Sequence, residues 1–459
     1  MALSDKALRR LRKILGEKHV LVEDMQRVCH AYDATNRVVM PDAVAMPENA
    51  EQVADVIRLA NKLGFAVIPR GAGTGMTGGC LAVRGGVILS TSRMNRILAI
   101  DGDNMVATVQ PGVFTGAFQR EVEALGLFYP PDPSSADYCT LGGNVAECAG
   151  GPRAVKYGVT RDYVLGLAAV TGAGEHIRTG VRTAKGVVGY DLTRLVAGSE
   201  GTLAVITEIT LRLVPKPESV RTLTAVYDSM EDAARTVSAV FRAGIVPRAV
   251  EYLDRAAIAC AEDYLNTGLP TEAAAILLLA VDGPADQTAA QEKRLAEVCR
   301  EQGAREVSGT EDQERADKLW SARKALSPAL FRYGPDKINE DIVVPRSRIP
   351  EMVRRIDEIR ERTGLVMVTF GHAGDGNMHV NIMLDKSDPV VRAVAEKAVD
   401  EVFDTTLALG GTISGEHGVG ITKAPWMGRE VPEHELSLMR SIKQVFDPNG
   451  VLNPGKMFE

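Results

Sequence analysis

Two segments in the last quarter of the chain concentrate the residue types that bind metals and move protons. VMVTFGHAGDGNMHVNIML reads as two strands around the turn AGDGN, with Asp375 and Gly376 as the turning pair. A hairpin brings His372 and His379 near each other although they are seven apart. Asn381, two residues on, shares the strand face of His379. SGEHGVG then offers Glu416 beside His417, flanked by glycines that permit an unusual backbone path. Two histidines and a carboxylate form a His2Glu donor set, which suits zinc and also admits manganese, cobalt or ferrous iron.

A third segment addresses phosphate. PRGAGTGMTGG places Gly71, Gly73, Gly75, Gly78 and Gly79 directly after an apolar strand. Residues without Cβ let successive backbone N–H groups close on an oxyanion, and a diphosphate is the natural occupant. Neither GxGxxG nor GxxxxGK[ST] fits, because Met76 stands at the third Rossmann glycine and no lysine follows. The next segment, CLAVRGGVILS, reads as strand, so the strand–loop–helix arrangement of those folds is missing.

The elements that must position these groups fall in two halves. A helix is expected from Asn49 to Leu63 with Gly64 as C-cap, then the strand FAVIPR before the glycine loop. Strands follow in GGVILS, MVATVQPG, VLGLAAVTGAG and GTLAVITEITLRLVPKP, the last ending at Pro215 and Pro217. Beyond that break, strand RTLTAVYDS, helix MEDAARTVSAVFRAG, strand AAAILLLAVDG and helix DQTAAQEKRLAEVCREQG alternate. The acidic, lysine-rich stretch near Glu311 to Lys318 reads as a solvated helix face. The sequence shows no internal repeat or low-complexity tract.

Bulk properties limit the function classes. With 459 residues, 45% of them hydrophobic, the chain can bury a core large enough for two or three domains. A net charge of -7 without a long block of either sign excludes electrostatic recruitment of nucleic acid. The basic amphipathic start, with Leu8, Leu11 and Ile14 on one face, reads as a docking helix, and no apolar run is long enough for a signal peptide or spanning helix. None of the six cysteines forms a CxxC pair, which disfavours an iron–sulfur cluster, zinc ribbon or redox dithiol. Reduced thiols and a cytoplasmic location are expected, compatible with a peripheral place on the inner membrane face through a partner.

The glycine loop has two companions, PPDPSSADYCTLGGNVAECAGGPRAVKYG and GSEGTLAVIT. In this order the three resemble the FAD-binding domain of the vanillyl-alcohol oxidase and para-cresol methylhydroxylase (PCMH) superfamily. Over most of the chain the resemblance is to FAD-linked D-2-hydroxy acid dehydrogenases: D-lactate dehydrogenases, the glycolate oxidase flavin subunit and D-2-hydroxyglutarate dehydrogenases. It implies an α+β protein: a two-subdomain FAD-binding domain over 1–217, a cap with an antiparallel sheet over 218–415, and a segment 416–459 returning to the FAD domain.

By the same resemblance Arg70, Gly71, Ala72, Gly73, Thr74, Gly75 and Gly78 hold the FAD pyrophosphate. Pro131, Asp132, Ser134, Gly142, Gly143, Asn144, Glu200, Gly201 and Ile206 line the rest of the cofactor, and Asn453, in FDPNGVLNPGKMF, approaches the flavin. Cys148 stands where AENAGG has asparagine and Ala204 where GTLG has glycine. Some relatives tether the flavin through a histidine of the first loop; none is present here, so a noncovalent FAD is expected.

The motifs GHxGDGNxHxN and GEHGxG recur in these dehydrogenases, which implies His372, His379 and Glu416 as metal ligands, His417 as catalytic base and Asn381 as substrate contact. Arg323, in LWSARKAL, matches an arginine that binds the substrate carboxylate, with Ser327 and Asn339 as further contacts. The implied reaction is oxidation of a D-2-hydroxy acid by proton abstraction and hydride transfer to flavin N5. With no NAD-binding pattern in the chain, the electrons need an external acceptor: an electron-transfer flavoprotein, an iron–sulfur subunit, a quinone or a cytochrome. The alternatives are a flavin-binding subunit of a larger complex and a non-redox FAD transferase, the alkyl-dihydroxyacetone-phosphate synthases, which carry histidine where Glu416 stands.

Overall fold

The computed structural model describes residues 3–265, 268–310 and 313–458. The chain divides into two compact units: 1–149, 159–216 and 416–459 make the first, 150–158 and 217–415 the second.

Among the described residues two larger sheets, together with the two-stranded pair Val214–Pro215 and Leu127–Phe128, build the first unit. Val67–Arg70, Val87–Ser90 and Ala43–Ala45 pair in parallel, and Val20–Leu21 adds antiparallel at the edge. Parallel neighbours require a covering crossover, and the helix Ala50–Leu63 supplies it. Its start and stop are encoded locally. The Asn49 side chain caps the N–H of Gln52, worth about 1 kcal/mol, and Gly64 turns out of the helix at φ 71°. Val53, Val56, Ile57 and Ala60 face the core, as their spacing requires. The N-terminal helix Asp5–Leu15 docks Leu11 and Leu15 into that core, with Leu8 and Ile14 packed at its margin.

The second sheet is antiparallel, in the order Ile97–Asp101, Val106–Val109, Ala204–Arg212, Val164–Thr171, His176–Gly180. Of the segment CLAVRGGVILS after the glycine loop, Val87–Ser90 is strand and the residues before it form turns, so no helix follows the loop.

One seven-stranded sheet organises the second unit, in the order Glu306–Thr310, Ser219–Tyr227, Ala275–Gly283, Ala249–Asp254, Val366–His372, Asn377–Leu384, Asp336–Val343. Every pairing is antiparallel. The helices Met230–Arg242 and Ala285–Glu301 fall where the 3.6-residue period places them. Helices Arg255–Leu265 and Gln313–Ala329 pack on each other, and Leu326, Leu330, Leu253 and Phe370 share a core beneath them. The stretch Glu311 to Lys318 lies partly outside the described residues; within it Lys318 pairs with Glu314 on an exposed helix face.

Residues 150–158 group with the second unit, not with the stretch 1–217 expected for the FAD domain. The physical reason is a buried carboxylate. Asp282 accepts from Lys156, from the Tyr157 hydroxyl at 2.8 Å and from Arg248 at 2.7 Å, while Val155 packs on Gly374. Breaking such a pair on one side costs about 3–5 kcal/mol, so the segment is held firmly. Among the described residues no helix is long and apolar enough to cross a membrane.

Candidate active site

In the first unit the loop after Val67–Arg70 is built so that backbone lines its surface. Gly73 has φ 74°, and a Cβ there would collide with the Arg70 guanidinium. At Gly71 a Cβ would meet the Thr140 hydroxyl, and at Gly142 it would meet Pro111. Thr140 caps the helix Leu141–Glu147, so the first and second glycine clusters meet at Gly71, Thr140 and Gly143. A dinucleotide diphosphate fits such a cradle, because close backbone approach is what these glycines make possible.

The side chain of Arg70 lies under the loop, donating to the Tyr32 carbonyl at 2.7 Å and to the Cys80 sulfur at 2.9 Å. Burial pushes the Cys80 thiol up to about 11, so it stays a thiol at neutral pH. The N–H of Gly78 is directed to Asp33 at 2.9 Å. Ala72, Thr74 and Gly75 complete the loop. Pro131 is buried and its carbonyl accepts from Gln119, Asp132 is buried, and Ser134 is exposed. Asn144 donates to Thr115 at 2.7 Å. Cys148 ends its helix at φ 54°, a left-handed position that asparagine tolerates better than cysteine.

The third cluster fastens the two others. Asn453, at φ 44°, donates to the carbonyls of Gly79 and Glu200 at 2.8 and 2.7 Å. Gly201, at φ 67°, rests on Pro69, and Ile206 is buried in its strand. The Glu200 carboxylate accepts the N–H groups of Val419 and Gly420, each at 2.7 Å, directly after His417. The Thr77 hydroxyl lies 3.4 Å from the His417 carbonyl. Glu147, absent from the sequence expectations, is half-buried, with its carboxyl beside Gly79 and Gly418 and its Oε2 enclosed. Burial first, then Glu200 and Asp33, push its carboxyl well above the usual range. Glu200 is raised by burial too, but two backbone N–H groups and the nearby Lys423 and Lys456 oppose this. Protonation is therefore favoured on Glu147 over Glu200, and among the described residues Glu147 Oε2 has no hydrogen-bond partner.

In the second unit, strand register places most of the expected site on one sheet face. Phe370 pairs with His379, Asp341 with His379, Asn339 with Asn381 and Glu251 with His372. Directly opposed residues of antiparallel strands, and residues two apart along one strand, point to the same side. The imidazoles of His372 and His379 stand edge to face, 5.2 Å between centroids. Asn339 donates to Asn381 at 2.6 Å, and Asn381 donates to the carbonyls of Val368 and His379 at 3.2 Å.

Arg323 reaches this face from the helix Gln313–Ala329. Its guanidinium stacks on Phe370 at 4.7 Å and its Nε forms an ion pair with Glu251 Oε2 at 2.7 Å, close but not aligned as a hydrogen bond, while among the described residues Nη2 has no hydrogen-bond partner. The Ser327 hydroxyl receives Lys337 Nζ at 2.7 Å, and burial lowers the Lys337 ammonium to about 8.

The spacing arguments miss Glu251, Asp341 and Lys337. Glu251 lies 121 positions before His372 and bonds its Nδ1 at 2.7 Å. Asp341 stands 3.6 Å from His379 Nδ1 and accepts from Asn377 at 2.6 Å and from the N–H of Gly415 at 3.0 Å. Glu416 is the next residue of the chain. The strand alternation in KINEDIV could have placed Lys337, Asn339 and Asp341 on one face; nothing local could have found Glu251. Within the second unit His372, His379 and Asp341 bring two imidazoles and a carboxylate to one sheet face, while Glu416 and His417, which the motifs add to the site, belong to the first unit.

Comparison with known proteins agrees with this organisation. Residues 41–180 match the FAD binding domain family and residues 216–457 the C-terminal domain of FAD linked oxidases. The glycolate oxidase subunit GlcD of Bacillus subtilis is 45% identical over 94% of this chain and 92% of its own length. GlcD of Escherichia coli K12 is 38% identical over 91% and 83%. A D-lactate dehydrogenase of Archaeoglobus fulgidus is 36% identical over 93% and 95%. Among solved structures, p-cresol methylhydroxylase superposes with a TM-score of 0.81 at 19% identity, covering 99% of this chain and 96% of that one, which establishes a PCMH-type FAD-binding fold. An α+β chain of this fold, matched over both its FAD-binding and its C-terminal portions, belongs to the FAD-linked oxidases and is a flavin-dependent oxidoreductase.

Proposed function

We propose that this protein oxidises a D-2-hydroxy acid of the glycolate, lactate or 2-hydroxyglutarate class to the 2-oxo acid and passes the electrons to an external acceptor. The observation that carries the reading is the single sheet face bearing His372, His379, Asn381 and Asn339, with Arg323 stacked over it. The names of its relatives, glycolate oxidase subunit and D-lactate dehydrogenase, support the substrate class.

Arg323, with Nη2 unpartnered and its plane held by Phe370, grips the substrate carboxylate. Ser327 stands one helical turn further on and receives Lys337 from the strand Asp336–Val343, and Asn381 and Asn339 orient the hydroxy acid. His417 takes the hydroxyl proton as general base. A divalent metal held by His372, His379 and Glu416 supplies positive charge that lowers the pKa of that hydroxyl. Noncovalent FAD supplies the two-electron acceptor for the Cα hydride.

Glu416 separates this reading from that of the alkyl-dihydroxyacetone-phosphate synthases. Their structural likeness, a TM-score of 0.75 at 18% identity, concerns the fold alone. The test is anaerobic bleaching of the flavin by a panel of D- and L-2-hydroxy acids. We expect D-acids to bleach wild type, His417→Ala to keep FAD yet lose bleaching, and chelation to slow it until zinc, manganese or cobalt is restored. Rapid bleaching in His417→Ala, or unchanged rates in metal-free protein, overturns the assignment.

A further inference from the structure

We propose that Glu251 is a positioning residue that couples substrate recognition to the metal histidines, one carboxylate oxygen fixing His372 and the other fixing Arg323. The inference rests on the reading above and adds a residue that reading does not need.

Glu251 sits in the middle of the strand Ala249–Asp254, fully buried, with His372 as its direct partner across the ladder. Its Oε1 lies 2.7 Å from His372 Nδ1 and its Oε2 lies 2.7 Å from Arg323 Nε. The circuit closes through the rings. Arg323 covers Phe370, the Phe370 ring meets the His379 ring at 5.7 Å, and His379 meets His372 at 5.2 Å. In a closed ring of five contacts each of the five side chains is held by two neighbours, so none turns without moving the others.

Each half of the bridge has a chemical consequence. A carboxylate accepts only, so a neutral His372 must carry its proton on Nδ1, which leaves the Nε2 lone pair to face a metal. Carboxylate partners of this kind set the tautomer of metal-binding histidines, and their loss typically weakens metal affinity about 10–100-fold. On the other side, the ion pair draws Arg323 Nε to Glu251 Oε2 at 2.7 Å without hydrogen-bond alignment, and the Phe370 ring beneath the guanidinium holds its plane. The outer edge, with Nη2, is then the one presented to an incoming carboxylate. The one negative charge also offsets the buried guanidinium before substrate arrives, a burial that an unpaired Arg323 could not sustain.

Three measurements test the bridge. In zinc-free wild type with 15N-labelled histidine, the His372 ring, assigned by its loss in His372→Gln, is expected as the Nδ1–H tautomer; an Nε2–H tautomer overturns the proposal. Glu251→Gln keeps the shape but can turn its amide N–H toward Nδ1. Titrating zinc chloride into the FAD-loaded variant by calorimetry should show affinity weakened about 10–100-fold, and KM for the hydroxy acid should rise, with FAD stoichiometry unchanged. Equal zinc affinity and equal KM in Glu251→Gln refute it. If wild type itself neither binds zinc nor is bleached by any hydroxy acid, the functional reading fails instead, and the tautomer measurement still decides the contact. Glu251→Asp, one methylene shorter, should recover part of the zinc affinity if the charge and not merely the volume is needed.

Discussion

Glu200 holds Gly420: the carboxylate oxygen Oε2 accepts the Gly420 N–H at 2.7 Å across 220 residues of chain, and Oε1 takes the neighbouring Val419 N–H at the same distance. The GSEG turn of the FAD domain thereby clamps the backbone that follows His417. Glu200→Gln keeps the volume but sets an amide N–H against a backbone N–H. Losing a charge-assisted bond costs about 1.5–3 kcal/mol, so we expect a lower melting temperature and a flavin reduction rate at least tenfold slower with FAD still bound. Stopped-flow reduction together with the flavin-to-protein absorbance ratio checks this; release of FAD with a normal rate on reconstitution would place Glu200 in cofactor binding alone.

Glycines with similar backbone angles should differ sharply in their tolerance. Gly64 and Gly73 have φ of 71° and 74°, but a Cβ on Gly64 meets nothing within 4 Å, whereas on Gly73 it meets the Arg70 guanidinium. Gly64→Ala should cost only the left-handed strain, roughly 1–2 kcal/mol, and leave the flavin spectrum intact. Gly73→Ala should displace the loop and yield protein purified with little FAD. Full FAD occupancy in Gly73→Ala removes the loop from the cofactor site.

Lys337 links pH to both binding and stability, with opposite signs. Burial lowers its folded-state value to about 8, while an unfolded lysine stays protonated to about pH 10.4. Between those limits the unfolded chain binds more protons, so this group's contribution to stability rises with pH through that window and is unfavourable below it. In the folded protein the charge that assists Ser327 is lost around pH 8, at the lower edge of that window, so KM for the hydroxy acid should climb as the pH passes about 8. Lys337→Met should flatten both trends, read by denaturant unfolding and initial rates from pH 7 to 10. A KM in Lys337→Met that still climbs as in wild type removes Lys337 from substrate binding.

What the sequence determined by itself is local. Glycines at fixed offsets after an apolar strand, the Asn49 and Gly64 caps, and the alternation in VMVTFGHAGDGNMHVNIML specify their conformations through contacts a few residues away. Those signals were enough to read the glycine turn after Arg70, the break at Pro215 and Pro217, and the approach of His372 to His379. Tertiary structure decided the partners. Glu251 faces His372 because two strands, 121 residues apart, pair in one register, and a shift of one residue would send its carboxylate to the other face. Likewise Lys156 and Tyr157 follow a glycine cluster of the FAD-binding sequence yet group with the cap sheet, because a buried Asp282 needs their donors. Burial makes such pairings obligatory, and burial belongs to the folded chain as a whole, not to any stretch of its sequence.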